Sequence, residues 1–180
     1  MAIMEFSGKI SLSYINREDE MDIYEYAMQM EKDGENFYRE LAQKTPNTGL
    51  RNILTMLAEA EVVHYNTFKK MNENLKVDLP ETTILRDVKN VFVMMNGTGE
   101  LSNINLSQTE LYKKAQDIEK KSEDFYLNKA KEVEDLSQKR ILSEIAGEEN
   151  KHYLILENII NFISRPEEWL ENAEWYGLEG

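Results

Sequence analysis

The chain has 180 residues, which is enough for one domain with a hydrophobic core of its own. It contains no cysteine, which excludes disulfides, thiolate metal sites and iron–sulfur or rubredoxin-type centres among these residues. Its net charge of −13 disfavours nucleic acid and anionic membranes as partners. The sequence shows no basic-then-apolar leader and no apolar run near the roughly 18 residues of a membrane span, so we expect a cytoplasmic protein.

Residues 16–75 are predicted to form a first pair of helices joined by a turn at residues 45–49. The apolar residues of the first helix recur at the three-four spacing of a helix with one buried side. Glu31 lies within this apolar side and not on the polar side, where most glutamates of a helix lie. In the second helix, Glu61 and His64 lie on the apolar side in the same way.

Residues 76–107 are predicted to be a long crossover connection that contains a short helix over residues 82–95. A connection of this length between helices of a compact bundle is typical of a segment that runs along the bundle. Its apolar cluster, Val91–Met95, is predicted to belong to the core or to a subunit interface, with the lining of a substrate channel as a less favoured alternative.

Residues 108–163 are predicted to form a second helix pair, and residues 164–180 a short tail helix. The third helix carries Glu119 on its apolar side. The fourth helix carries Glu149 and His152 on its apolar side, three residues apart, so that they are neighbours on one helical face.

The second helix pair repeats the first at a fixed offset of 88 residues. Each copy contains a Glu, then a Phe-Tyr pair, then a Glu-x-x-His motif, and thirty residues separate the first Glu from the second. The two histidines of these motifs are the only ones in the sequence. A constant offset over separate segments indicates an internal duplication. The sequence therefore predicts an all-α four-helix bundle built from two duplicated helix pairs.

Helix geometry predicts that the repeated carboxylates meet at one level of the bundle. Glu31 lies 16 residues before Asn47 and Glu61 lies 14 after it, so both are roughly 21–24 Å from the turn. The second pair repeats this spacing around Asp135. Burying an unpaired carboxylate costs several kcal/mol, and no Lys or Arg lies on these apolar sides near that level. Either most of these carboxyls are protonated, or a pair of metal ions with oxygen and imidazole ligands neutralises them, iron or manganese first and zinc as a further candidate.

The repeated Glu…Phe-Tyr…Glu-x-x-His motif resembles the ferritin-like superfamily, specifically its rubrerythrin branch, over roughly residues 20–163. The resemblance implies a single ferritin-like domain over residues 1–180, two iron ions and no haem. It also implies reduction of hydrogen peroxide or dioxygen in defence against oxidative stress, and a homodimer or larger homo-oligomer. The ligands that it implies are Glu31, Glu61, His64, Glu119, Glu149 and His152.

The sequence departs from the relatives in three respects. Rubrerythrins proper carry an extra ligating Glu one turn after the third-helix Glu, where this chain has Ser122. The rubredoxin domain usual in that family is missing from these residues, so a separate electron donor such as a rubredoxin-like protein is implied. Bacterioferritins share the six-ligand pattern, but Val62 stands where their haem-ligating Met would follow the second-helix Glu.

Two tyrosines repeat with the ligands. Tyr38 and Tyr126 lie seven residues after Glu31 and Glu119, two helical turns further on the same side, and are predicted to donate hydrogen bonds to ligand carboxylates. Ordinary core tyrosines are the alternative.

Two other functions remain open at this point. The protein could be a ferroxidase or iron-storage module, which would assemble into a closed shell. It could also be a metal-stabilised binding or sensing protein without peroxidase turnover.

Overall fold

The computed structural model describes residues 22–98 and 108–165. Within these residues the chain forms five α-helices and no strand, which confirms the predicted all-α bundle. The predicted tail helix at residues 164–180 lies almost entirely outside this part of the chain, as do the last nine residues of the predicted crossover. The helices are α1 (Ile23–Lys44), α2 (Thr48–Asn72), α3 (Ile84–Thr98), α4 (Thr109–Glu132) and α5 (Leu136–Ser164).

Two N-caps set the start of the second helix in each pair. The Asn47 side chain accepts a hydrogen bond of 3.0 Å from the backbone N–H of Leu50 at the start of α2. The Asp135 side chain accepts one of 2.8 Å from Gln138 at the start of α5. Both caps satisfy a backbone donor that the first helical turn would otherwise leave unpaired. Because Asn47 and Asp135 are equivalent in the repeat, both pairs place their glutamates at the same distance from the turn.

Polar contacts between α1 and α4 show how the two halves are arranged. At the end of α1, the Lys44 carbonyl accepts a hydrogen bond of 2.9 Å from the side-chain amide of Gln108, just before α4. The hydroxyl of Thr45 lies 3.4 Å from that of Tyr112 in the first turn of α4. The end of α1 therefore lies beside the start of α4, whereas the end of α2 packs with the start of α1 at the opposite end of the bundle.

The apolar core consists of two clusters separated by a buried polar layer. One cluster joins the end of α1 and the start of α2 to α3 and α5, with Leu41, Leu54 and Ile159 among its members. The other joins the opposite ends of the helices around Phe68 and Leu142. The six predicted ligands, all buried, occupy the layer between them.

Helix α3 covers one end of the bundle with one side only. Phe92 is fully buried and packs edge-on against Phe162 of α5 at a ring-centroid distance of 5.5 Å. Val93 and Met94 are 53% and 68% exposed, so the predicted cluster Val91–Met95 belongs only partly to the core. None of the helices within the described ranges is long and apolar enough to cross a membrane.

Candidate metal centre

The structure brings all six predicted ligand residues together in the polar layer, with at most 3% of each residue exposed. They form two overlapping groups, and within each group one ligand atom per residue lies within 4.8 Å of the others. Glu61 and Glu149 belong to both groups, so their carboxylates stand where they can bridge two ions. The remaining members differ: Glu31 and His64 complete one group, and Glu119 and His152 complete the other.

Carboxylate oxygens surround one nitrogen of each imidazole. His64 Nδ1 lies 2.9 Å from Glu149 Oε1 and 3.3 Å from Glu31 Oε2. His152 Nδ1 lies 3.2 Å from Glu61 Oε1 and 3.6 Å from Glu149 Oε2. The two rings stack at a centroid distance of 5.6 Å.

Several of these nitrogen and oxygen atoms lie close together without forming a hydrogen bond. Among the described residues, Glu31 Oε2, Glu149 Oε1 and Nδ1 of both histidines are buried without a hydrogen-bond partner. Buried polar atoms in folded proteins nearly always have one, so a cluster of exceptions needs an explanation. Oxygen and nitrogen atoms that converge on shared space without bonding to one another have the arrangement of metal ligands. Carboxylate and imidazole donors without sulfur suit iron, manganese or zinc.

The repeated tyrosines connect the two helix pairs at this layer. The Tyr38 hydroxyl on α1 donates a hydrogen bond to Glu119 of α4, and the Tyr126 hydroxyl on α4 donates one to Glu31 of α1. Each phenol thus bonds to the carboxylate of the other pair. The spacing of residues along one helix does not show which carboxylate a tyrosine reaches, because its side chain points away from its own helix towards a facing one.

Burial favours the protonated form of the two carboxyls that contact the tyrosines. It raises the pKa of Glu31 and Glu119 well above the usual value for Glu, and the negative charge of Glu149 raises both further. Burial also raises the pKa of Tyr38 and Tyr126 well above the usual value, so both phenols remain hydrogen-bond donors.

The carboxylates around the two imidazoles favour the protonated form of both. Burial lowers the pKa of His64 and His152, but the carboxylates around them outweigh it and hold both pKa values well above the usual range for His. Burial raises the pKa of Glu149 and Glu61, yet the imidazoles outweigh this effect and the pKa of each is lowered. These shifts favour a state in which two imidazolium groups face two carboxylates and the cluster as a whole is neutral. Two divalent ions bound to four carboxylates and two neutral imidazoles would also form a neutral cluster.

Comparison with known proteins places the chain in a family. The family model for rubrerythrin matches residues 22–160. The chain belongs to the rubrerythrin family. Searches of curated proteins and of solved structures gave no match. The matched range contains all six residues of the cluster and both tyrosines, so the resemblance expected from the repeated motif is confirmed. Rubrerythrins bind a di-iron centre, and the buried Glu/His cluster of this chain is able to hold metal.

Isosteric substitutions in the metal-free protein test the distribution of protons. Glu31→Gln replaces a protonated carboxyl by an amide of the same shape, so we expect the free energy of unfolding to change by less than about 1 kcal/mol at pH 7. Glu149→Gln removes an ionised partner of buried imidazoles and should cost about 3 kcal/mol. Urea denaturation of both variants measures the difference, and equal losses would contradict the assignment.

Metal binding should displace the protons that the cluster holds. The raised pKa values of Glu31, Glu119, His64 and His152 give up to four protons to release when two divalent ions bind. Groups with ordinary pKa values would release only about half a proton in total at pH 7. Affinity should accordingly rise with pH, because the metal-free state binds more protons. Calorimetric titration with Mn²⁺ in buffers of different ionisation enthalpy measures the number of protons released. Release of only about half a proton would contradict the raised pKa values.

Proposed function

We propose that this protein is a non-haem di-iron oxidoreductase that reduces hydrogen peroxide, with dioxygen as the alternative oxidant, in defence against oxidative stress. The observation that carries the proposal is that Glu61 and Glu149 are shared by two ligand groups, each of which has one imidazole and one further carboxylate of its own. A pair of ions held at adjacent positions can exchange two electrons with one substrate molecule.

The proposed assignment of ligands follows the two groups. Glu31 and His64 would hold one ion, Glu119 and His152 the other, and the shared carboxylates both. When bound, iron would supply reversible one-electron redox chemistry at each position. We take iron as the native metal from the family, while the donor set also accepts manganese or zinc.

The protein's own side chains would orient the ligands. Reduction of hydrogen peroxide to two water molecules consumes two electrons and two protons, and these protons would have to come from solvent. The phenols of Tyr38 and Tyr126 hold their protons firmly and fix one oxygen each of Glu119 and Glu31, so that the other oxygen faces the centre of the cluster. The two apolar clusters above and below the polar layer keep bulk water away from it.

The electrons would come from a separate protein. No cysteine-ligated carrier can form within these 180 residues, because the sequence contains no cysteine. A rubredoxin-like donor that docks on the bundle fits this requirement. We further propose a cytoplasmic location and a homodimer or larger homo-oligomer, as expected for this family.

The test is anaerobic loading with Fe²⁺ followed by peroxide in the presence of an artificial reductant. We expect two iron ions per chain and consumption of many equivalents of peroxide. Glu61→Ala removes a shared carboxylate and should lower both the iron content and the rate by at least about ten-fold, the order expected when one of few ligands is lost. Glu59→Ala, an exposed glutamate of the same helix, is the matched control and should behave as the parent.

Three results would contradict the proposed enzyme. Fewer than one iron ion per chain after loading would show that the cluster does not hold a metal pair. Consumption that stops at one equivalent of peroxide, with reductant still present, would indicate a metal-binding protein without turnover. Oxidation and retention of many iron ions per chain in a closed shell, seen by light scattering, would indicate iron storage.

A further inference from the structure

Gly34 lies on α1 one turn after Glu31, at the edge of the polar layer. The residue is partly exposed to solvent, whereas Glu61, which it faces, is only 3% exposed. A Cβ atom at position 34 would lie 3.4 Å from Cγ and Cδ of Glu61 and 3.6 Å from its Oε2. Space for about one methyl group therefore separates the α1 backbone from a carboxylate that both ligand groups share.

No feature of the backbone requires glycine at this position. Gly34 lies in the middle of a regular helix, without the left-handed backbone conformation that favours glycine. A glycine within a helix lowers the folding equilibrium constant about two- to five-fold relative to alanine. The effect that distinguishes Gly34 is thus the space beside Glu61.

The equivalent position in the second half of the bundle carries a side chain. It is Ser122 of α4, which is buried with 8% of its surface exposed. Several other residues one turn from the ligands are buried almost completely. Ala27, Ala58, Phe68, Ala115, Ala146 and Leu156 are all at most 1% exposed. The two halves of the bundle therefore differ at this position, because a buried side chain stands on the α4 side and none on the α1 side.

We infer that Gly34 keeps open the position at which the metal pair takes up its exogenous ligand, a neutral or anionic molecule of two or three non-hydrogen atoms. A ligand that enters beside a shared carboxylate needs room both for its own atoms and for a shift of that carboxylate, and the missing side chain provides it on the α1 side. This inference rests on the proposed metal pair and adds the side from which a small oxidant reaches it.

Two mid-helix glycines allow a matched test. Gly147 of α5 is exposed, and a Cβ there would have no atom within 4 Å, so Gly147→Ala changes helix propensity alone. Gly34→Ala changes helix propensity and also fills the space beside Glu61. Both variants should raise the unfolding midpoint of the metal-free protein, with a change of about two- to five-fold in the unfolding equilibrium constant.

The decisive measurement is the affinity of azide, a linear three-atom anion, for the protein loaded with Co²⁺, followed by the visible absorption bands of the cobalt. Parent and Gly147→Ala should bind two Co²⁺ and share one azide dissociation constant within about two-fold. Gly34→Ala should also bind two Co²⁺, while its azide dissociation constant rises at least about ten-fold, which corresponds to 1.4 kcal/mol. Gly34→Ser, which copies the residue of the other half, should show the same loss, and Ser122→Ala should not.

The outcomes separate the inference from the proposed function. An unchanged azide affinity in Gly34→Ala, or in Gly34→Ser where the alanine variant does not fold, would overturn the inference. Loss of Co²⁺ binding in these variants would overturn it too, since position 34 would then serve metal binding itself. A parent protein that binds no Co²⁺ would instead refute the metal pair on which both proposals rest.

Discussion

The need to neutralise four carboxylates inside an apolar bundle governs this structure. Charges in a medium of low dielectric constant cannot remain unpaired, because the loss of hydration costs several kcal/mol for each ion. Without metal, two protonated carboxyls and two imidazolium groups would solve the problem, and the directions of the pKa shifts favour this state. Two divalent cations would solve it equally well. The same six side chains are thus neutral with protons or with metal, and exchange between the two states leaves the charge of the core unchanged.

The duplication explains why the core can satisfy this requirement symmetrically. Each helix pair contributes two glutamates and one histidine at a level set by its N-cap, Asn47 or Asp135. The tyrosine bonds then connect the pairs, since Tyr38 and Tyr126 each bond to a carboxylate of the other half. Loss of one half would leave the other with unpaired carboxyls in its core. The metal site and the association of the two halves therefore depend on the same contacts.

Much of this arrangement could be predicted from the sequence, because helix periodicity and a repeat offset are local quantities. The phase of Glu31 within an apolar stripe correctly predicted that it is buried, and the count of residues to Asn47 correctly predicted that it meets Glu61. Which carboxylate each tyrosine bonds to could not be predicted, since it depends on how the two halves are packed. The role of Gly34 was not visible either. The lack of a side chain at position 34 can be interpreted only when the structure shows that Glu61 lies opposite it.

The central claim is that the polar layer is a site for two metal ions that share Glu61 and Glu149. The most direct measurement is anomalous X-ray diffraction from crystals of the protein loaded with Mn²⁺ or Fe²⁺. Two anomalous peaks between α1, α2, α4 and α5, each beside one histidine and both in contact with the two shared carboxylates, are the predicted result. A single peak, or peaks outside this layer, would contradict the claim.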